Sequence, residues 1–284
     1  MSEQLRTVSY GGGVQSTALL VLAAERRIDF PLFLFANVGA DSENPRTLDF
    51  VEQYAKPYAA AHGIELVELQ RTVRGGHPET LWGRLTKDQS RSLPIPVRMS
   101  NGAPGRRSCT ADFKIAVVVK EIKRRLFAQG DMSRKRNQHI VHRPAVTAIG
   151  FSLDEWERMT SSTPHKCQQL VYPLIDMRLD RHACTQIIHR AGLPVPPKSS
   201  CFFCPFHNLR EWRRLRDEQP TEFERAVWLE DHLNERRDVL GKDAIYFSAL
   251  GAQRDQSLRQ VVGDETHEQM DMFAVTCDAF SCFT

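Results

Sequence analysis

The stretch SYGGGVQST, residues 9–17, sets Gly11, Gly12 and Gly13 between an apolar run and a helical one. Glycines let backbone N–H groups come close to a phosphate, and a helix opening at Ser16 and Thr17 adds the partial positive charge of its N-terminus. With Ser9 and Gln15 the stretch reads as an anion cradle. It is not a Walker loop, which ends Gly-Lys-Ser/Thr, nor a dinucleotide fingerprint, which needs glycine where Ser16 stands. A second chemical group is CFFCPFH, residues 201–207, where Cys201 and Cys204 share one tight turn and two thiolates can converge on one metal. A third is GRRSCTADFK, where Cys109 sits among Arg106, Arg107 and Lys114 ahead of a helical run. Cationic neighbours and a helix start both favour the metal-binding thiolate. Spacing alone leaves an iron-sulfur cluster, a zinc ion and unliganded thiols open.

These groups need a frame. Residues 5–9 read as a strand, 16–26 as a helix and PLFLFAN as a second strand; PRTLDFVEQYAKPYAAAHG reads as a helix and IELVEL as a third strand. That alternation predicts a parallel sheet with helices on its faces. Residues 71–108 dissolve into Gly, Pro, Ser and Arg and read as a long basic loop or lid. ADFKIAVVVKEIKRRLFAQ predicts a helix, residues 130–143 a mobile basic connection, AVTAIG a fourth strand, VYPLI a fifth and DRHACTQIIHRAG a closing helix. A nucleotide-type core over 1–193 is therefore expected, followed over 194–284 by a helical region with the cysteine pair and a flexible tail.

At 284 residues the chain can bury a sizeable core, and its net charge is only +3. The charge is unevenly spread: residues 106–143 hold eleven Lys or Arg against three Asp or Glu. Such a stretch attracts phosphate, on a nucleotide or a nucleic acid, unless it is simply a solvated helix face. No apolar run has the length of a membrane span, and the polar start MSEQLRTV lacks the apolar stretch of a secretion signal, so a cytoplasmic location is expected. Seven cysteines there point to metal or redox chemistry rather than a disulfide framework. Cys184, in an apolar helical pattern, reads as a buried small hydrophobe.

Residues 11–16 resemble the pyrophosphate loop, S-G-G-x-D-S, of the adenine-nucleotide alpha-hydrolase (PP-loop) superfamily, which grips the pyrophosphate of ATP during adenylation. Gly11 stands for the first Ser, and Gln15 for the Asp. Three further stretches are similar to the phosphoadenosine phosphosulfate reductase branch. NVGADSENPRT carries Gly39 and Glu43, AIGFSLDEWERM carries Gly150, Glu155 and Arg158, and YPLIDMRLDRHACTQIIHRAGLPVPPKSSCFFCPF leads into the cysteine pair. The matches keep chain order over roughly residues 5–210. The resemblance implies a Rossmann-like (HUP-type), mostly parallel five-stranded sheet with helices on both faces and a helical C-terminal region. It implies ATP and Mg2+ at the loop, Asn37 near the adenine or ribose, and Arg158 and Lys114 near phosphate. With Gln15 in place of the acid, Asp41, Glu43 and Glu155 are the candidates for holding the metal.

Iron-sulfur adenylylsulfate reductases set two adjacent cysteines ahead of a C-x-x-C; here Cys109 lies 92 residues before Cys201 and Ser108 replaces its neighbour. The resemblance thus implies a three-cysteine 4Fe-4S centre with either an open iron, as in related transfer-RNA thiolation enzymes, or a fourth ligand from His207, Cys277 or Cys282, zinc being the alternative. A reactive tail cysteine, Cys282 or Cys277, is implied by the reductases, whose Glu-Cys-Gly context is missing here.

The expected function is an ATP pyrophosphatase that adenylates an acceptor, with a cluster assisting sulfur transfer to a nucleic acid, as in bacterial DNA phosphorothioation or RNA thiolation. Its partners would be a nucleotide, a nucleic acid bound through the basic stretch, and a sulfur donor such as a cysteine desulfurase. In that scheme Ser16, Lys114, Arg158 and Cys282 act in catalysis. A sulfonucleotide reductase and a non-catalytic nucleotide-binding module are the alternatives.

Overall fold

The computed structural model describes residues 3–136, 138–159 and 165–263. Among them are nine strands: β1 (Arg6–Tyr10), β2 (Leu32–Asn37), β3 (Glu65–Gln70), β4 (Arg98–Met99), β5 (Met132–Lys135), β6 (Gln138–Val141), β7 (Ala145–Ile149), β8 (Gln168–Val171) and β9 (Ile245–Tyr246). Five form one sheet in the order β3-β2-β1-β7-β8, and each neighbouring pair is parallel. The chain winds outward from β1 to β3, then returns to the other side of β1 with β7. In open sheets of this kind a crevice opens beyond the carboxyl ends of the strands where the winding reverses.

The sequence of β2 explains the layering. LFLFAN is buried at every position, and strand alternation sends its side chains to both faces. Phe33 and Phe35 join Val8, Tyr10, Leu19 and Ile188 in one core, with helices Val14–Ala24 and Arg181–Arg190. Leu32, Leu34 and Ala36 join Val118, Ile122 and Leu126 of helix Ala116–Gln129 in the other.

Four expected elements differ. The single helix expected after β2 is helix Pro45–Phe50, a widened turn Val51–Ala55 and helix Lys56–Ala61; Pro57 has no N–H to continue the ordinary ladder. VYPLI is not a strand: β8 ends at Val171, and Pro173 opens the one-turn helix Pro173–Asp176, a position where its missing N–H costs nothing. The expected loop over 71–108 contains helix Leu81–Thr86, whose first turn is capped by Thr80 accepting from the Gly83 N–H at 2.9 Å. It also contains β4, antiparallel to β9. The expected mobile connection over 130–143 is a hairpin, β5 paired with β6, because Met132 and Val141 have a core to join.

The described residues form two compact units. The first comprises 3–78, 112–136, 138–159 and 165–199 and holds the five-stranded sheet. The second comprises 79–111 and 200–263, so it takes in a segment from the middle of the chain as well as the C-terminal helices. Its interior is aromatic: Phe202, Phe203, Trp212 and Phe247 are fully buried, and Trp82 packs on Phe202 and Phe203 with ring centroids 5.7 and 5.6 Å away. Helix Leu209–Glu218 opens with a reciprocal cap between Asn208 and Glu211, and helix Pro220–Val239 buries Glu230.

Candidate functional site

At the carboxyl end of β1 the chain turns through Gly11 and Gly12 into helix Val14–Ala24, with Gly13 as its N-cap. Gly12 sits at φ +74°, a left-handed conformation that favours glycine, and a β-carbon there would lie 3.0 Å from the Thr47 methyl. Ser16 closes the loop on itself: its Oγ donates to the Gly13 carbonyl at 3.1 Å and accepts from the Gly13 N–H at 3.2 Å. The Ser199 hydroxyl donates to the Gly11 carbonyl. The Thr17 hydroxyl is buried and shares a hydrogen bond of 3.1 Å with the Tyr10 hydroxyl, so it braces the core beneath the loop. Ser9 lies in β1 between Leu34 and Ile149.

Two other strand ends meet this loop. Gly150, just past β7, lets the chain lie against the helix start, where a β-carbon would come within 3.1 Å of the Ser16 nitrogen. Beyond it, the tight helix Leu153–Arg158 presents Glu155 and Arg158. Gln15 donates to Glu155 Oε2 at 3.1 Å and to Ser152 Oγ at 3.3 Å, and accepts from Arg181 Nη1 at 3.3 Å. Where the resembled loop has an acid, this chain has an amide that bridges a carboxylate and a guanidinium. Arg158 pairs with Glu155 through Nη1, lies 4.3 Å over the Phe151 ring, and keeps Nη2 buried without a hydrogen-bond partner. A buried guanidinium with an unsatisfied N–H is built to meet an anion.

The third strand end is that of β2. Asn37 accepts from the Gly39 N–H at 2.8 Å and donates to Glu68 at 2.7 Å, so its side chain shapes the turn. Gly39, at φ +122°, accepts from the N–H groups of Ser42 and Glu43. The turn leaves Glu43 fully enclosed, with neither carboxylate oxygen in a hydrogen bond. Burial pushes its pKa up, opposed by the charge of Lys114 and the nearby amide of Asn44. Asp41 is bonded to Ser42 at 2.8 Å. An orphaned carboxylate suits one ligand of a divalent cation. Mg2+ ordinarily takes one or two carboxylates and fills its remaining positions with nucleotide phosphates and water, so Glu43 fits that ion although no three His, Cys, Asp or Glu side chains group around a metal among the described residues.

The remaining candidate ligands lie in the second unit. Cys201 and Cys204 occupy consecutive turns, the Cys204 N–H donating to the Cys201 carbonyl at 3.1 Å and the His207 N–H to the Cys204 carbonyl at 3.0 Å. Cys109 belongs to the same unit, its N–H bonded to the Pro94 carbonyl at 2.8 Å. All three thiols are half-buried and in no disulfide, and with His207 they belong to one unit. His207 has further contacts: Nε2 lies 2.9 Å from the Ser200 hydroxyl, and the ring meets Trp212 edge-on at 4.8 Å. Cys184 and Cys167 are buried, and burial raises both thiol pKa values, that of Cys184 to about 12. Cys277 and Cys282 lie outside the described residues.

Reasoning from the sequence missed Arg181 and Ser199, which reach the loop from 166 and 188 residues away. The only local signal for Arg181 is its place directly after Asp180, the cap of helix Arg181–Arg190.

Among known proteins, no family model matches the chain and no curated protein matches it. Among solved structures, the U34-tRNA thiolase NcsA from Methanococcus maripaludis with its [4Fe-4S] cluster aligns with a TM-score of 0.42 and 15% identity, over 82% of this chain and 72% of that one. At that degree of likeness the chemistry of the site rests on this chain's own residues. Among the described residues, no helix is long and apolar enough to cross a membrane.

Proposed function

We propose that the first unit binds ATP at the loop of residues 11–16 and cleaves it between the α- and β-phosphates, adenylating an acceptor. The observation that carries this reading is the buried, unpartnered Nη2 of Arg158 at the same carboxyl end of the sheet as the glycine loop and the helix start behind it. An acceptor oxygen attacks the α-phosphorus, the bond to the bridging oxygen breaks, and pyrophosphate leaves with the added negative charge. The loop amides, the helix N-terminus and Arg158 offset that charge. Gln15 holds Glu155, and through it Arg158, in place. Glu43 would hold Mg2+, whose chemistry is to neutralise the leaving pyrophosphate.

The acceptor in this reading is a nucleic acid that then receives sulfur: a cysteine desulfurase is the source, a thiol reductant brings that sulfur to the sulfide level, and the sulfide displaces AMP from the activated acceptor. Cys109, Cys201 and Cys204 are the residues that would hold an iron-sulfur centre, whose chemistry would be to bind the sulfide.

The test is product analysis by phosphorus NMR after incubation with ATP and Mg2+, with water taking the acceptor's place. AMP and pyrophosphate are expected, and Arg158→Ala should slow their appearance about a hundredfold or more. ADP with inorganic phosphate, or no binding of adenine nucleotide, would sink the reading.

A further inference from the structure

The basic stretch over 106–143 is not one surface. On helix Ala116–Gln129 three of the four cations are held by neighbours. Arg124 is held by Glu121 at 2.6 Å, Arg125 by Glu65 at 2.6 Å and by Glu121 at 2.8 Å, and Lys120 donates to Thr72 at 2.9 Å. Arg143, at the root of the hairpin, pairs with Asp131 at 2.9 Å. The outer half of the hairpin differs. Arg134, Lys135 and Arg136 are exposed, and none is hydrogen-bonded to or ion-paired with an acid among the described residues. Arg134 reaches only the Arg136 carbonyl, at 3.3 Å. From Met132 to Arg143 the sequence holds four Lys or Arg, two His and no acid.

Met132 pairs with Val141 and both join the core below, which anchors the root of the hairpin. Arg134 pairs with His139 and Lys135 with Gln138 further out, and Arg136, next after β5, takes φ +53°. His139 is braced by the Phe127 ring, 5.4 Å away and edge-on. Each strand is four residues long, about 13 Å, and the part beyond the anchoring pair extends about 10 Å. The major groove of B-DNA, about 12 Å wide and 8.5 Å deep, admits a two-stranded ribbon of that size. The major groove of A-form RNA is too narrow for one.

We infer that the β5–β6 hairpin is a basic ribbon that seats in the major groove of double-stranded DNA, with Arg134, Lys135 and Arg136 on the flanking phosphates. This names the acceptor class for the reaction proposed above and rests on that reading for its chemistry, while DNA binding itself can be measured without ATP.

The experiment is fluorescence anisotropy with the full chain and a labelled 25-base-pair duplex at several salt concentrations. Replacing Arg134, Lys135 and Arg136 together by Gln should weaken binding roughly a hundredfold near 0.1 M salt, and flatten the slope of log affinity against log salt by between about two and three units. Arg134→Lys with Arg136→Lys keeps the charges and should keep the slope. Arg124→Gln removes one charge, on a guanidinium already paired with Glu121, and should change little. Unchanged DNA binding by the triple variant overturns the inference. So does equally tight binding of duplex RNA through the same residues, or retention on anionic vesicles without binding to DNA. If DNA binding depends on the hairpin while ATP is not cleaved to AMP, the proposed reaction fails and the ribbon stands.

Discussion

The residues around the glycine loop divide into those whose polar atoms are left without partners and those whose polar atoms shape the loop. Arg158 and Glu43 carry buried polar atoms without partners, whereas Asn37, Thr17 and Ser16 spend their polar atoms on the loop and the core. Gly150 shows how narrow the fit is. Gly150→Ala puts a β-carbon against the backbone nitrogen of Ser16, and backbone cannot swing away as a side chain can. We expect an affinity for ATP lowered about tenfold, with a loss of unfolding free energy of only about 1 kcal/mol, read by calorimetric titration and urea denaturation. A stability loss alone, with ATP binding intact, would show that this contact does not shape the nucleotide site. The glycines, Glu43 and Arg158 could be named from their motifs. That Gln15 would bridge Glu155 and Arg181 could not, because both partners come from distant stretches of chain.

Elements were legible where a local period or cap signalled them and misread where pairing decided. The alternation in LFLFAN and the repeat in VVVKEIKRRLF are local, so β2 and helix Ala116–Gln129 follow from the sequence. Strand β4 has two residues, and its partner β9 lies far along the chain; nothing near Arg98 announces it. The hairpin was hidden for another reason: a run of Arg and Lys looks like a solvated linker until Met132 and Val141 find a core. The cap of helix Leu209–Glu218 is local and can be tested. Asn208 accepts from the Glu211 N–H at 2.8 Å, and Glu211 accepts in return from the Asn208 N–H at 3.1 Å. Asn208→Ala should therefore cost about 1 kcal/mol in denaturant unfolding followed by fluorescence of the buried Trp212. An unchanged midpoint would mean that the cap adds nothing to this helix.

At the scale of the molecule, the second unit is tied together by a group that titrates. Glu230 accepts from the Phe247 and Leu258 N–H groups, each at 2.6 Å, and burial raises its pKa to about 7 against the opposing pull of those amides. A carboxyl raised in the folded state favours the protonated form. Its contribution is thus fully present below the unfolded value near 4.5, declines as pH rises, and levels off above about 7. The change is on the order of 3 kcal/mol. Glu230→Gln cannot titrate, so the stability of the parent relative to this variant should fall by about that amount between pH 4.5 and 7 in denaturant melts. Parallel curves for the two proteins would refute it. The amino-acid sequence alone determined the alternating strands and helices, the glycine loop at a strand end, and the cysteine pair on one turn, because these depend on neighbours within a few residues. Tertiary structure decided the rest: that residues 79–111 join the C-terminal helices, that Gln15 bridges Glu155 and Arg181, and that Arg124, Arg125 and Arg143 are ion-paired while Arg134, Lys135 and Arg136 have no acid beside them among the described residues. Those outcomes turn on which distant groups come within bonding distance, and distance in space carries no local mark in the chain.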